Sequence, residues 1–554
     1  MAGQGKAASG TGLPPVRGRE WLSGGRIVVL KRFRSRRRST NVAVVAGMLV
    51  VGLVASGCRA QPAAPTSTGP ETFAPTQTFS VRKFGAVGNG RADDTAALAR
   101  ALSASDGKCL DGEGRAYRVV GTLRVTHDLC LRNITLTQSQ VPFDTRGYIR
   151  NSCPIVADAS AIVDCGDPPV RPEDLKALND SLSVRTLFIR PDKGNSPLRV
   201  LLDGVKVDTG RYPEAGSRTD SAGIWIESAD GATLRNVEVT GYGKGHPLIV
   251  LRSRNVTVDG LWVHDVVWSP YAGDSPLSRQ RVSEIGWNKY PIHEFRRVGE
   301  QGAKVAKFYG VRVQEQVTCA AFSEVRDVVI RNARISRCMA RFADGDLPWQ
   351  ADGLDISRSS SNVLVQAPVI DMTWEGMDIA ANGTGIDGLQ IRDARVSNCF
   401  SFCLKLGKQL RNPIVTNATI ANAGIAGIVF YGPVQNGDLN GASITGIGMI
   451  SVGGIVFSPW PAQASSGVRI DDGASGDDSN ARSTPRGLNI DNVQVSGAPG
   501  GPAYAFAVLN KGGRGVRVQR LRASGFSRAA IGGESGNGPN LRSRNDAVER
   551  VRPN

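Results

Sequence analysis

From about residue 220 onward the chain repeats one short pattern: a small residue or Asn, then an alternating apolar strand, then a turn. One series runs through Asn236, Asn255, Asp327, Asn362, Gly388, Asn412, Gly437, Gly487 and Gly515. A second, offset series runs through Gly353, Gly376, Cys403, Gly427 and Gly454, whose following residues read Leu-Asp-Ile, Met-Asp-Ile, Leu-Lys-Leu and, twice, Ile-Val-Phe. Both share a period of about 25 residues, the mark of a chain that returns to the same place on every turn. Parallel strands need crossover connections, and a solenoid supplies them by winding. The pattern therefore predicts one long all-β solenoid. A length of 554 residues is compatible with that single body, because each coil needs only its neighbours. With 66 Gly and only 6% aromatic residues, the composition favours short strands and turns over helical packing.

An open solenoid end would expose core and unpaired strand edges, so a cap is required. The segment Phe84 to Leu102 supplies one: glycine turns, then Asp93-Asp94-Thr95, then an apolar-periodic stretch that predicts a helix over 94–103 with Asp93 or Asp94 as its N-cap. This segment resembles the F-G-A-x-G-D-G-x-x-D-D-T-x-A-I opening of the pectate-lyase-superfamily β-helix proteins, including those related to polygalacturonase glycoside hydrolases. The resemblance is specific over residues 81–102 and, through the coil period, generic to about residue 530. It implies a right-handed parallel β-helix of the pectin-lyase type over 77–535, with 536–554 as a flexible tail. The reaction stays open, because this fold hosts lyases, hydrolases, epimerases and non-enzymatic surface proteins.

The N-terminal region reads as an export signal over 1–58. It has a basic run from Lys31 to Arg38, an apolar run from Val42 to Val54, and Ala55-Ser56-Gly57 before Cys58. Those last four residues resemble a lipobox, which implies lipidation of Cys58 and a membrane-tethered protein at the cell surface; an ordinary cleaved signal and an uncleaved anchor are the alternatives. Residues 1–27 precede the basic region and read as an over-long start. Residues 59–76, rich in Pro, Thr and Ala, read as a linker. The formal charge of +17 is concentrated in the leader, where residues 1–57 hold ten Lys/Arg against Glu20 alone. The remaining excess is spread along the body without a basic arm, so a nucleic-acid partner is not expected, whereas an acidic polysaccharide suits it. Assigning one of the nine cysteines to lipid leaves eight for an oxidising space. Nearest-neighbour pairing is Cys109–Cys130, Cys153–Cys165, Cys319–Cys338 and Cys399–Cys403. A monomer is expected.

Chemistry concentrates on the second series. In Gly353-Leu-Asp-Ile and Gly376-Met-Asp-Ile the apolar residues alternate inward, so Asp355 and Asp378 are expected to point outward on successive coils, with Lys405 one coil on. Asp352 and Glu375 stand beside them at the strand starts, and four acids on two rungs repel one another. A catalytic cluster or a cation site would explain why that repulsion is tolerated; a solvated acidic face is the plain alternative. Ala351-Asp352-Gly353-Leu354-Asp355 resembles the polygalacturonase motif N-T-D-G-I-D, and Trp374-Glu375-Gly376 falls where that family has paired Asp residues. The resemblance implies Asp352 and Glu375 as the acid/base pair of a hydrolase that needs no cofactor. The family's G-H-G coincides with Ser401-Phe402-Cys403, which has no His, and its R-I-K has no counterpart at Gly427 to Tyr431, so polygalacturonase activity in the strict sense does not follow.

A polysaccharide lyase is the rival enzyme. There Asp352, Asp355, Glu375 and Asp378 would hold calcium, with Lys405 or Arg358 as base. Trp349 and Trp374 are candidate sugar platforms. The long excursion from His264 to Glu300, with Trp268, Tyr271, Trp287, Tyr290, His293 and Glu294, is a candidate groove wall, with plain packing on the coils as its alternative. His127 and His246 read as structural. From another class, a non-catalytic β-helix that binds surface glycans accounts for the same features.

Overall fold

The computed structural model describes residue 75, residues 77–533 apart from 140–184, 193, 210–221, 242–245, 268–291, 298–305, 310–316, 340–350, 381–384, 453–454, 459–464, 472–483 and 499–503, and residues 542–544. The leader, Cys58, the linker apart from residue 75, Cys153, Cys165 and Trp349 lie outside the described residues.

The described body is a right-handed parallel β-helix. One coil shows how it is made. The chain runs through Ala351–Ser357, turns, continues through Ser361–Gln366, turns again into Val369–Thr373, and then starts the next coil at Met377. Each of these strands pairs in parallel with its counterpart one coil on, Leu354 with Met377, Val363 with Leu389 and Ile370 with Val396. The first strands of the coils form a 12-stranded sheet, and the other two positions merge around a corner into a larger one. Leu354, Ile356, Val363, Val365 and Ile370 of this coil are all buried, and stacking such residues on every coil makes one continuous core.

The corners explain the repeat. Gly231, Asn255, Asp327, Asn362, Gly388, Asn412, Asn436, Gly487 and Gly515 occupy one corner on nine coils, and all have φ between +51° and +95°. That left-handed conformation is strained for most L-residues and is tolerated by Gly and by Asn or Asp, whose side chains hydrogen-bond locally. Here the amide of Asn362 donates to Asp327 Oδ1 at 2.9 Å, that of Asn412 to Asp387 Oδ1 at 3.0 Å, and that of Asn436 to Asn412 Oδ1 at 3.3 Å. The corner residue expected at Gly437 is thus its neighbour Asn436, and Asn236, also expected in this series, turns at another corner, in line with Gly204 and Gly260.

The second series holds for Gly353, Gly376, Cys403 and Gly427, but its next member is Gly467 and not Gly454. Ile455–Ser458 instead pairs antiparallel with Ile450–Val452 and with Ile292–Arg297, which in turn pairs with Ala306–Tyr309. The Ile-Val-Phe after Gly454 imitates a coil strand because an apolar strand looks alike wherever it pairs. At the C-terminal end Arg542–Arg544 pairs in parallel with Arg517–Gln519, so one further strand lies within the stretch expected to be tail.

The helix Thr95–Ser103 buries Ala97, Leu98, Ala101 and Leu102. Both aspartates before it act, in different ways. Asp93 Oδ1 accepts from Thr95 N at 3.0 Å and Thr95 Oγ1 at 2.6 Å, while the buried Asp94 carboxylate accepts from Val87 N at 2.6 Å and Gly88 N at 3.2 Å, tying down the glycine turn. Three expected disulfides are present, Cys109–Cys130, Cys319–Cys338 and Cys399–Cys403.

Replacing Asn412, whose φ is +51°, separates backbone strain from packing. Asn412→Ala is expected to lower unfolding free energy by about 1–2 kcal/mol, and Asn412→Gly to recover most of the loss, as read by chemical denaturation.

Candidate functional site

Four acids and one lysine meet on the outer face of the 12-stranded sheet. The register places Ala321, Asp355, Asp378, Lys405 and Val429 in one column on five successive strands. Asp352 and Glu375 lie three residues before Asp355 and Asp378, Asp352 at the start of Ala351–Ser357 and Glu375 just ahead of Met377–Ala380, where the chain comes off the corner. Glycine is needed there because the coils approach closely: a Cβ on Gly376 would meet Val396 Cγ1 at 2.3 Å and Cys403 O at 2.4 Å, and one on Gly353 would meet Gly376 O at 2.5 Å. The two glycines thus let Asp352 and Glu375 sit on adjacent rungs.

The expected outward column is present, but it is not a solvated acidic face. Asp352 is 0% exposed, Asp378 3% and Glu375 4%. Asp355 is partly exposed, and the Lys405 side chain is 16% exposed. Lys405 Nζ donates to Glu375 Oε2 at 2.9 Å and to Asp378 Oδ2 at 3.3 Å. Both oxygens of Asp352 and Oδ1 of Asp378 are buried without a hydrogen-bond partner. One oxygen from each of Asp352, Glu375 and Asp378 lies within 4.8 Å of the others.

Burial penalises charge, and like charges add to the penalty. Asp352 is therefore pushed well above the usual carboxylate range, first by desolvation and then by Glu375 and Asp378. Desolvation, with Asp378 beside it, lifts Asp355 to about 8. Glu375 is raised to about 7, again by desolvation, against the opposing pull of Lys405. For Lys405, desolvation works downward, yet Asp378, Glu375 and Asp352 outweigh it and hold the ammonium protonated well above its ordinary range. A lysine so held is a poor proton acceptor.

The other expected site residues are scattered. Arg358 lies past the strand end with φ +57°, exposed, and pairs with Glu324 at the same corner one coil earlier, Nη1 to Oε1 2.8 Å. It thus neutralises a neighbouring corner and is not paired to the cluster. Trp374 stacks on Phe400, with ring centroids 6.2 Å apart. His293 lies in Ile292–Arg297, whose side chains are outside the described residues, as are Trp268, Tyr271, Trp287 and Tyr290. His127 accompanies the carbonyl of Asp128 at 2.9 Å, and His246 the carbonyl of Thr318 at 3.4 Å.

No protein-family model matches the chain, and no curated protein matches it significantly. Solved structures do. The surface protein and adhesin PfbA of Streptococcus pneumoniae is 10% identical, covering 85% of this chain and 99% of its own, with a TM-score of 0.42. A hyperthermoactive exopolygalacturonase from Thermotoga maritima is 12% identical over 86% of this chain and 93% of its own, TM-score 0.45. A double mutant of the tailspike protein of E. coli bacteriophage HK620, in complex with pentasaccharide, is 9% identical over 82% of this chain and 78% of its own, TM-score 0.47. The parallel β-helix itself is shown by this chain's own strand pairing. At such identities the likeness is one of fold alone.

Sequence reasoning missed the depth of the cluster and the pairing of Lys405 with Glu375. The spacing Glu375, Asp378 and Lys405 at coil period carried the signal for the contact, but nothing in it carried the burial.

The raised carboxyls have a consequence for stability. A carboxyl whose folded pKa lies above its unfolded value binds more protons folded than unfolded, so its native state loses stability as pH rises between the two values. For Asp355 that window runs from the ordinary carboxylate value of about 4 to about 8. Asp355→Asn should match the wild-type melting temperature near the lower end and exceed it increasingly toward the upper end, as followed by thermal unfolding across pH.

Proposed function

We propose that this protein is an exported, cell-surface enzyme that hydrolyses an acidic polysaccharide, with Asp352 as general acid and Glu375 as base. One observation carries the reading. Two carboxyls on adjacent rungs are raised by burial, Asp352 well above its ordinary value and Glu375 to about 7, yet of the two Glu375 alone is paired with the Lys405 ammonium. The environment thus separates their roles. Asp352, buried and without a hydrogen-bond partner, is best kept neutral and able to give its proton to a leaving oxygen. Glu375, beside a fixed cation, is the one kept as a carboxylate, able to take a proton from water. Asp378 shares the same ammonium and steadies it. Asp355 and Lys405, the members that reach the surface, mark the side from which a sugar would approach. Tethering through Cys58 belongs to this proposal, as does a solitary, monomeric mode of action.

Asp352→Asn and Glu375→Gln should each lower turnover by ~10²-fold or more on a polysaccharide that the wild type cleaves. Screening uronate-containing and neutral polysaccharides for new reducing ends, together with the ultraviolet absorbance of an unsaturated product, measures this. Reducing ends without absorbance mean hydrolysis. Full activity in both amide variants would place the chemistry elsewhere, and binding without cleavage by the wild type would favour a glycan-binding β-helix.

A second reading rests on the three buried oxygens of Asp352 and Asp378 that have no donor. A calcium ion could satisfy them in place of protons, since hard carboxylate oxygens are its usual ligands. The fit is incomplete: three carboxylates fall short of the roughly 6–8 oxygens calcium takes, and the Lys405 ammonium already sits on two of them. The hydrolase reading expects no change in melting temperature on adding millimolar calcium. A rise of several degrees that Asp352→Asn removes would establish a cation centre instead.

A further inference from the structure

The column that carries the acids continues toward the N-terminus with different chemistry. In register before Ala321 stand Ile249, Trp225, Phe188 and Arg124, one on each strand. Rungs are ~4.8 Å apart, so Trp225 lies three rungs, about 14 Å, along the face from Asp355. The advance per rung is close to the length that one sugar unit spans in an extended chain. A glycan laid along the column would therefore place a unit over Trp225 a few residues away from the one at the acids.

What surrounds Trp225 is cationic. The Arg185 guanidinium stands 4.1 Å from the Trp225 ring and 4.7 Å from that of Phe188, at the start of the strands. At their far end the buried Glu227 is the organiser: it accepts from the Trp225 indole Nε1 at 3.2 Å, pairs closely with Arg252 Nη2, and lies 3.4 Å from Arg190 Nε. Glu227 is 4% exposed, whereas the side chains of Arg190 and Arg252 are 50% and 48% exposed. One sunken carboxylate thus holds two half-exposed guanidiniums and one indole in fixed positions. Arg124, next along the column, pairs with Asp192 at 3.1 Å. The guanidiniums of Arg190 and Arg252 thus share the one carboxylate of Glu227.

A structural ion pair would need one arginine for one glutamate. Here the second is surplus in charge, and each guanidinium carries five donors of which Glu227 engages one nitrogen. A planar fork presented to solvent beside an aromatic face matches the carboxylate and the apolar ring face of a uronate unit. We infer that Trp225, Arg190 and Arg252 form a distal subsite for a carboxylated sugar, three rungs from the acid cluster on the same face. The inference rests on the reading of that face as a glycan track, but not on catalysis, because it concerns binding.

The test reads binding apart from turnover. Calorimetric titration of the full chain with oligogalacturonates, with alginate oligomers, with sulfated oligosaccharides and with neutral oligomers of equal length gives the preference. Wild type and Glu375→Gln should both bind carboxylated oligomers more tightly than neutral ones, with affinity falling as salt is raised. Arg190→Gln, which leaves the Arg252 pair with Glu227 in place, should weaken binding of long carboxylated oligomers about tenfold and leave short ones unaffected. Trp225→Phe, which keeps a ring but loses the indole donor, should weaken it less. Melting temperature identifies a variant that has lost its fold, and in that event Arg190→Lys provides a milder change at the same site. Carboxylated binding untouched by Arg190→Gln in a folded chain would overturn the inference even if polysaccharide is cleaved. A preference for neutral or for sulfated oligomers would overturn it as well. Arginine-dependent binding without any cleavage would uphold the subsite while refuting the hydrolase.

Discussion

On nine coils of the described body one corner is turned in a left-handed backbone conformation, and the rest of the structure depends on that constraint. A corner residue with positive φ costs little only for Gly, or for Asn and Asp that bond their neighbours. Once Asn362, Gly388, Asn412 and Asn436 turn at the same place on successive coils, the strands between them are forced into register. The core then follows, because inward residues such as Leu354, Met377 and Leu404 fall directly above one another. Arg252, Glu324, Arg358 and Lys408 occupy another corner with positive φ, where exposure and ion pairing, as between Glu324 and Arg358, replace the asparagine ladder.

Register has a second effect: it multiplies whatever the outward positions carry. A single Asp outside a strand is unremarkable, but the stacking brings Asp355 and Asp378 onto neighbouring rungs, with Asp352 and Glu375 beside them and Lys405 one rung further. Their mutual repulsion is not relieved by solvent, since three of the four acids are buried. It is relieved by one ammonium and by protons, which burial favours holding. The same electrostatics favour the protonated ammonium at Lys405.

The fold was legible in the sequence because its corner residues are chemically distinctive. Asn and Gly at a period of about 25 residues name the turns, and the glycine turn with Asp93-Asp94-Thr95 names the cap. Asp93 and Asp94 both act there, one on the helix start and one on the loop, which two adjacent letters could not distinguish. Legibility failed at Gly454, whose Ile-Val-Phe has the local character of a coil strand while its partners lie in an antiparallel sheet with Ile292–Arg297. Strand pairing is decided by partners distant in the chain, and a short apolar run does not say which partner it will find.

The candidate site divides in the same way. Alternation within Gly353-Leu-Asp-Ile and Gly376-Met-Asp-Ile determined that Asp355, Asp378 and Lys405 share a column, because side-chain direction in a strand has a period of two. Whether that column faces water or lies covered is not a property of period, and only the tertiary structure decided it. The same holds for Arg358, drawn by its corner to Glu324, and for Trp225, which becomes part of a cationic site only when Arg185, Arg190, Arg252 and Glu227 converge on it from separate strands and corners. Sequence determines where a repeating chain turns and which way its side chains point, since both are local. Burial, charge state and the company each residue keeps depend on packing between segments far apart in the chain, and they exist only in the folded body.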